Sequence, residues 1–136
     1  MLEPGDEEAI RERLRTYLSV FEQGDAEAYA DQFRFPACIW ANGTWTSIPD
    51  RETCLAAATG FMQQVRDLGA GRGAIHDMRI IPLLSRVAVN QLQYQRLDAD
   101  GRPVEDVRAN YLMLKGEDGS WRIGTIAGES EPSRPA

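Results

Sequence analysis

His76 is the only histidine in the chain, and the residue beside it is Asp77. A lone imidazole can serve as a general base near neutral pH. On a predicted strand, adjacent side chains face opposite sides, so Asp77 cannot easily orient His76 in a dyad. Asp106, Arg108 and Asn110 alternate along one face of another predicted strand, grouped with Tyr94 and Arg96 on the strand before it. Charge ladders of that kind usually lie on a solvated face. Tyr17 falls on the apolar stripe of the first predicted helix, where a phenol can pack and donate a hydrogen bond. Cys38 and Cys54 fit no metal spacing and are too few for a disulfide scaffold, so they read as small buried hydrophobes. The stretch "GAGRG" at 69–73 follows a predicted helix and carries no Gly-Lys-Ser/Thr, so it is no phosphate loop. No metal site, nucleophile triad or nucleotide fingerprint is evident, and no cofactor is expected.

These residues sit in a chain of 136 residues, long enough for one domain with its own core. Apolar residues make up 43% and charged residues 26%, which is ordinary for a globular chain. The formal net charge of −6 repels phosphate backbones, and the basic cluster at Arg11, Arg13 and Arg15 shares its helix with Glu7, Glu8 and Glu12. No nucleic-acid partner is expected. No apolar run approaches the ~18 residues of a membrane span, and the N-terminus lacks a basic region followed by an apolar one. The expectation is a cytoplasmic protein with no membrane partner.

Periodicity supplies the elements that must hold the candidate groups. Ile10, Leu14, Tyr17, Leu18 and Phe21 form one helical stripe that Asp6 can cap and Gly24 ends. Asp25 then opens a short helix, "DAEAYADQF", with Pro36 as its stop. "ACIWA-NG-TWTSI" carries the strongest short-range hairpin signal, because a two-residue type I′ turn needs positive φ at both central positions. That turn pairs Trp40 with Trp45 and Ile39 with Thr46. Asp50 caps a third helix along which Cys54, Ala58, Phe61, Met62 and Val65 recur at helical intervals. Strands are expected over 74–84, 86–97, 104–115 and 120–127, joined by turns including "DADGRP" and "GEDGS". Residues 1–5 and 129–136 read as loose tails. Helices followed by a strand meander imply an α+β domain with the helices on one face of a curved antiparallel sheet.

This order resembles the nuclear-transport-factor-2-like (NTF2-like) superfamily, which includes ketosteroid isomerases, SnoaL-type cyclases, scytalone dehydratase and limonene epoxide hydrolase. Three stretches carry the resemblance: "YLSVFEQGDAEAYADQF", "AVNQLQYQRLDADGRP" and "NYLMLKGEDGSWRIGTIAG". With the element order they cover nearly the whole chain. The resemblance implies a cone with a cavity between sheet and helices, usually as a homodimer, and does not fix a chemistry. Its isomerase branch places a tyrosine eight residues before the Asp of a Gly-Asp break, which Tyr17 matches against Asp25. That branch's second oxyanion donor falls at about Tyr111. Its general base, sixteen residues after that aspartate, falls on Ala41, and a methyl group cannot abstract a proton. An epoxide-hydrolase-like site would need two carboxylates bridged by an arginine in the cavity, and a dehydratase-like one more than one histidine.

Hence the expectation is an NTF2-like α+β cone whose cavity takes a small, largely apolar molecule. Phe21, Phe33, Ile39, Ala41, Phe61, Met62 and Val65 would wall it, with polar contacts from Tyr17, Tyr111, Asn110 and His76. The same register turns Trp40 and Trp45 away from the cavity, toward packing or a dimer surface. Two alternatives stand beside it: a cofactor-free lyase, isomerase or cyclase with His76 as base and Tyr17 as proton donor, and a protein-interaction module using exposed sheet surface.

Overall fold

A computed structural model describes residues 1–134. The chain forms α1 (Asp6–Glu22), α2 (Ala26–Ala30), β1 (Phe33–Ala41), β2 (Thr44–Ile48), α3 (Arg51–Asp67), β3 (Arg72–Leu84), β4 (Val87–Leu97), β5 (Pro103–Lys115) and β6 (Trp121–Pro132). The six strands make one curved sheet in the order β2-β1-β6-β5-β4-β3, and the three helices enclose its inner face as a cone. The sheet is mixed rather than wholly antiparallel, because β1 lies parallel to β6. This pairing joins the early hairpin to the last strand of the chain.

Local chemistry sets the element ends. The Asp25 carboxylate accepts from the Ala28 amide at 3.0 Å, and that of Asp50 from the Thr53 amide at 2.8 Å, each satisfying a donor that a helix start leaves orphaned. Asp6 departs from its expected role as a cap. Gly5, in the left-handed region at φ 90°, takes the cap position, while the Asp6 side chain turns inward to accept from the indole Nε1 of Trp121 and from Lys115 Nζ, both at 3.0 Å. The second helix ends earlier than expected. The Gln32 side-chain amide donates to the Ala28 carbonyl at 2.9 Å, so α2 closes at Ala30 and Pro36 lies inside β1, where the pairing with β6 shifts register. The tail expected from residue 129 also requires correction. Backbone pairing with β5 carries β6 on to Pro132, and the Ser133 amide donates to the Val104 carbonyl at 3.0 Å. Residues 135 and 136 of that expected tail lie outside the described residues.

The hairpin adopts the expected register, with Trp40 opposite Trp45 and Ile39 opposite Thr46. Asn42 and Gly43 both have positive φ, as the turn requires. Ile39 is buried, whereas Trp40 is 46% and Trp45 59% exposed, with ring centroids 6.3 Å apart. The tryptophans therefore hold the hairpin together on the outer side of the sheet. Trp121 does the opposite and fills the core. No helix among the described residues is long and apolar enough to cross a membrane.

Candidate ligand cavity

Between α1, α2, α3 and the inner sheet face lies a cavity of about 420 Å³. Its wall is built by alternation. On β5 the odd-numbered residues point inward, bringing Glu105, Val107, Ala109 and Tyr111 to the cavity. Ile39 and Ala41 come from β1, Tyr17 and Phe21 from α1, Phe61 and Val65 from α3. Seven expected wall or donor positions line it, namely Tyr17, Phe21, Ile39, Ala41, Phe61, Val65 and Tyr111, and Tyr29, Arg96 and Glu105 join them without having been expected.

Three phenols converge in the most buried part of the cavity. Tyr17 and Tyr29 have ring centroids 5.2 Å apart and hydroxyl oxygens at 3.5 Å, and Tyr17 meets Tyr111 edge-on at 5.3 Å. Burial pushes the pKa of each phenol upward, and the neighbouring tyrosines add to the effect at Tyr17 and Tyr111. The group stays neutral and keeps its protons. Among the described residues the one hydrogen bond within the trio joins Tyr17 to Tyr29, so the Tyr111 hydroxyl is left to donate to an outside acceptor.

The second polar feature is an ion pair. Arg96 Nε donates to Glu105 Oε1 at 2.9 Å, and each side chain is less than one-fifth exposed. The guanidinium lies 5.2 Å from the Phe21 ring centroid and 5.7 Å from that of Tyr94, both within cation–π reach. Tyr94 is fixed in turn, donating its hydroxyl to Glu22. It passes so close to Gly73 that a Cβ there would lie 2.0 Å from its oxygen.

Four expected site residues lie elsewhere. Asn110 is exposed on the outer face of β5, because its odd-numbered neighbours take the inner one. His76 is also exposed, at a register shift in β3, and its Nε2 lies 3.1 Å from Gln95 Oε1. Gln95 in turn donates to Asp106 at 2.8 Å, so His76 belongs to an outer polar row and cannot serve the cavity as a base. Phe33 is buried behind the phenols, 5.0 Å from the Tyr29 ring, and fills core. Met62 faces a small adjoining notch of about 20 Å³. The expected grouping of Tyr94 and Arg96 with Asp106, Arg108 and Asn110 also separates. Arg96 pairs with Glu105 and Gln95 with Asp106, which sends Tyr94 and Arg96 inward and the ladder outward.

Tyr29, Arg96 and Glu105 were missed as cavity groups. A signal for Glu105 was present, since it shares parity with Tyr111 on one strand. Among the described residues no group of His, Cys, Asp and Glu is placed to hold a metal ion.

A helix-enclosed cone over a curved six-stranded sheet is the NTF2-like fold. The chain belongs to the family described as NTF2-like protein (DUF6841), which matches residues 6–131. No curated protein matches the sequence. Among solved structures, it is similar to a protein of unknown function with a cystatin-like fold from Nostoc punctiforme, at 14% identity and a TM-score of 0.78, covering 98% of this chain and 97% of that one. It is also similar to a ketosteroid isomerase-like protein from Erwinia carotovora atroseptica, at 13% identity and 0.73, covering 96% and 100%. A structure from Catenulispora acidiphila in complex with S-DNPA aligns at 14% identity and 0.74, covering 94% and 95%. At these identities the likeness concerns the fold.

Proposed function

We propose that this protein binds a small, largely apolar molecule in the cavity, and holds it by an oxygen that accepts the spare phenolic hydrogen. The observation that carries this reading is the buried cluster of Tyr17, Tyr29 and Tyr111, whose three hydroxyl hydrogens outnumber the one hydrogen bond made among them. Phe21, Ile39, Phe61, Val65 and Val107 offer apolar contact around it, as expected of a small-molecule site with few polar groups. A ligand complex in a structure of the same fold supports the reading. Position 41 is alanine and His76 lies outside the cavity, which favours binding over isomerisation. A homodimer through the outer sheet face belongs to the proposal, since Trp40 and Trp45 stand exposed there.

Native mass spectrometry of freshly purified protein, repeated after denaturation, tests both parts. The expected result is a dimer with a small extra mass that denaturation removes and that Tyr17→Phe retains less well. Extra mass held equally by Tyr17→Phe and Tyr111→Phe would overturn the phenol assignment. A monomer at micromolar concentration would overturn the dimer.

A further inference from the structure

The Arg96–Glu105 pair uses only part of a guanidinium. Its Nε is bonded to Glu105 and its faces are covered by Phe21 and Tyr94. Among the described residues neither Nη has a hydrogen-bond acceptor, and neither is sealed from solvent as an unpartnered buried atom. Arg96 lines both the main cavity and the adjoining notch. It is therefore a donor fork fixed by Glu105 and two aromatic rings, with both Nη unengaged in a side chain that lines the cavity. Planar forks of this kind suit carboxylates, which they can grip through two parallel hydrogen bonds.

Charge balance at this end tolerates an incoming anion. Arg66, Arg72 and Arg96 line the notch with Glu22, and Glu105 is occupied by Arg96. Glu129, at the cavity rim, lies 3.5 Å from Arg108. Between the fork and the phenols the cavity wall is apolar, formed by Val107 and Ala109 on β5 with Phe21 and Val65 opposite. Arg96 shares this apolar wall with the phenols, and its charge is felt at all three of them.

Building on the cavity-binding reading, we propose that the ligand is an amphiphilic carboxylate whose head group is held by the two Nη of Arg96, while a further oxygen on its apolar body accepts from the phenols. Glu105 is then a positioning residue that aims the guanidinium.

The test is calorimetric titration with decanoate and with decanamide, a neutral partner of the same length, both below micelle-forming concentrations. Decanoate should bind at least about tenfold more tightly, because charge-assisted hydrogen bonds are stronger than neutral ones. Arg96→Gln should bring the two probes to within about twofold of each other, Arg96→Lys should restore part of the preference, and Tyr17→Phe should leave the ratio unchanged. The double substitution Arg96→Gln with Glu105→Gln, which leaves no unpaired charge, guards against simple misfolding and should behave like Arg96→Gln. Equal binding of both probes by the unmodified protein would overturn the carboxylate assignment while sparing the cavity. A preference that survives Arg96→Gln but vanishes in Tyr17→Phe would move the anion to the phenols and overturn it as well. Binding of neither probe would overturn this assignment, while the cavity reading stands or falls with the mass measurement.

Discussion

Strand β5 presents two faces that meet different surroundings. Inward, Glu105, Val107, Ala109, Tyr111 and Met113 pass from the ion pair along the cavity wall to the phenols and the core. Outward, Asp106, Arg108 and Asn110 meet Gln95, Glu129 and solvent. Residue type alone does not separate the faces, since each begins with a carboxylate. What separates them is parity, and parity was fixed by the pairing across the turn to β4. A carboxylate on the outer row joins a solvated network. The same group one residue earlier orients a guanidinium at a cavity.

The sharpest way to break this contrast is to truncate a residue on each face. Met113→Ala removes a fully buried side chain between Ala88 and Ile123 and should cost about 2–5 kcal/mol in chemical denaturation. Asn110→Ala, three residues away on the other face, should stay within about 0.5 kcal/mol of the unmodified protein. Comparable losses at both would mean that the outer face is packed against something in solution.

The next largest effect is expected at Asp6, which ties α1 to the start of β6. Asp6→Ala leaves the Trp121 indole N–H without its acceptor, at a cost of about 1–3 kcal/mol. Burial pushes the Asp6 carboxyl up, but hydrogen bonds from Trp121, the Glu3 amide and Lys115 pull it below its ordinary value. Its stabilising contribution is then complete above the unfolded value of about 3.9 and is lost as pH falls through the lower folded value. Acid unfolding followed by Trp fluorescence should show that contribution disappearing below about pH 4, and Asp6→Ala should flatten the dependence. An unchanged acid profile in Asp6→Ala would count against this linkage.

Much of the frame was legible because it rests on short-range rules. Asn-Gly fixed the hairpin register, Asp25 and Asp50 marked two helix starts, and the α3 stripe placed Phe61 and Val65 on the cavity. The misses depend on partners far along the chain. The inward turn of Asp6 answers to Trp121, more than a hundred residues later. The length of β6 depends on the ladder offered by β5. Tyr29 looked like an ordinary helix residue until α1 and β5 brought two further phenols to it. His76 was attractive only as a residue type, and a local register shift put it outside.

The tyrosines allow the inner face to be tested without any ligand. The chain has four, and burial raises the pKa of each, helped at Tyr94 by the Glu22 carboxylate. Raised phenols contribute stability that is complete below the unfolded value of about 10 and is lost as pH rises toward the folded values. Absorbance at 295 nm should therefore stay flat through about pH 10.5, where exposed tyrosines would already be mostly ionised, and should rise only together with unfolding. An early rise of one quarter of the total would identify a phenol open to water, and Tyr111→Phe or Tyr94→Phe would show which.

The smallest effect belongs to the outer hairpin. Trp40 and Trp45 are a directly opposed cross-strand pair at 6.3 Å, and both are largely exposed. As hairpin contacts alone they are worth about 0.2–1 kcal/mol over alanine, so Trp45→Ala should lower stability by no more than that and leave ligand retention unchanged. If a second copy covers this face, the loss should instead grow with protein concentration, because association stabilises by mass action. A series of melting curves across a hundredfold range of concentration separates the two. A midpoint that does not move in the unmodified protein leaves the pair as a hairpin clamp. One that rises with concentration, and stops rising in Trp45→Ala, makes the outer face an interface built around the tryptophans.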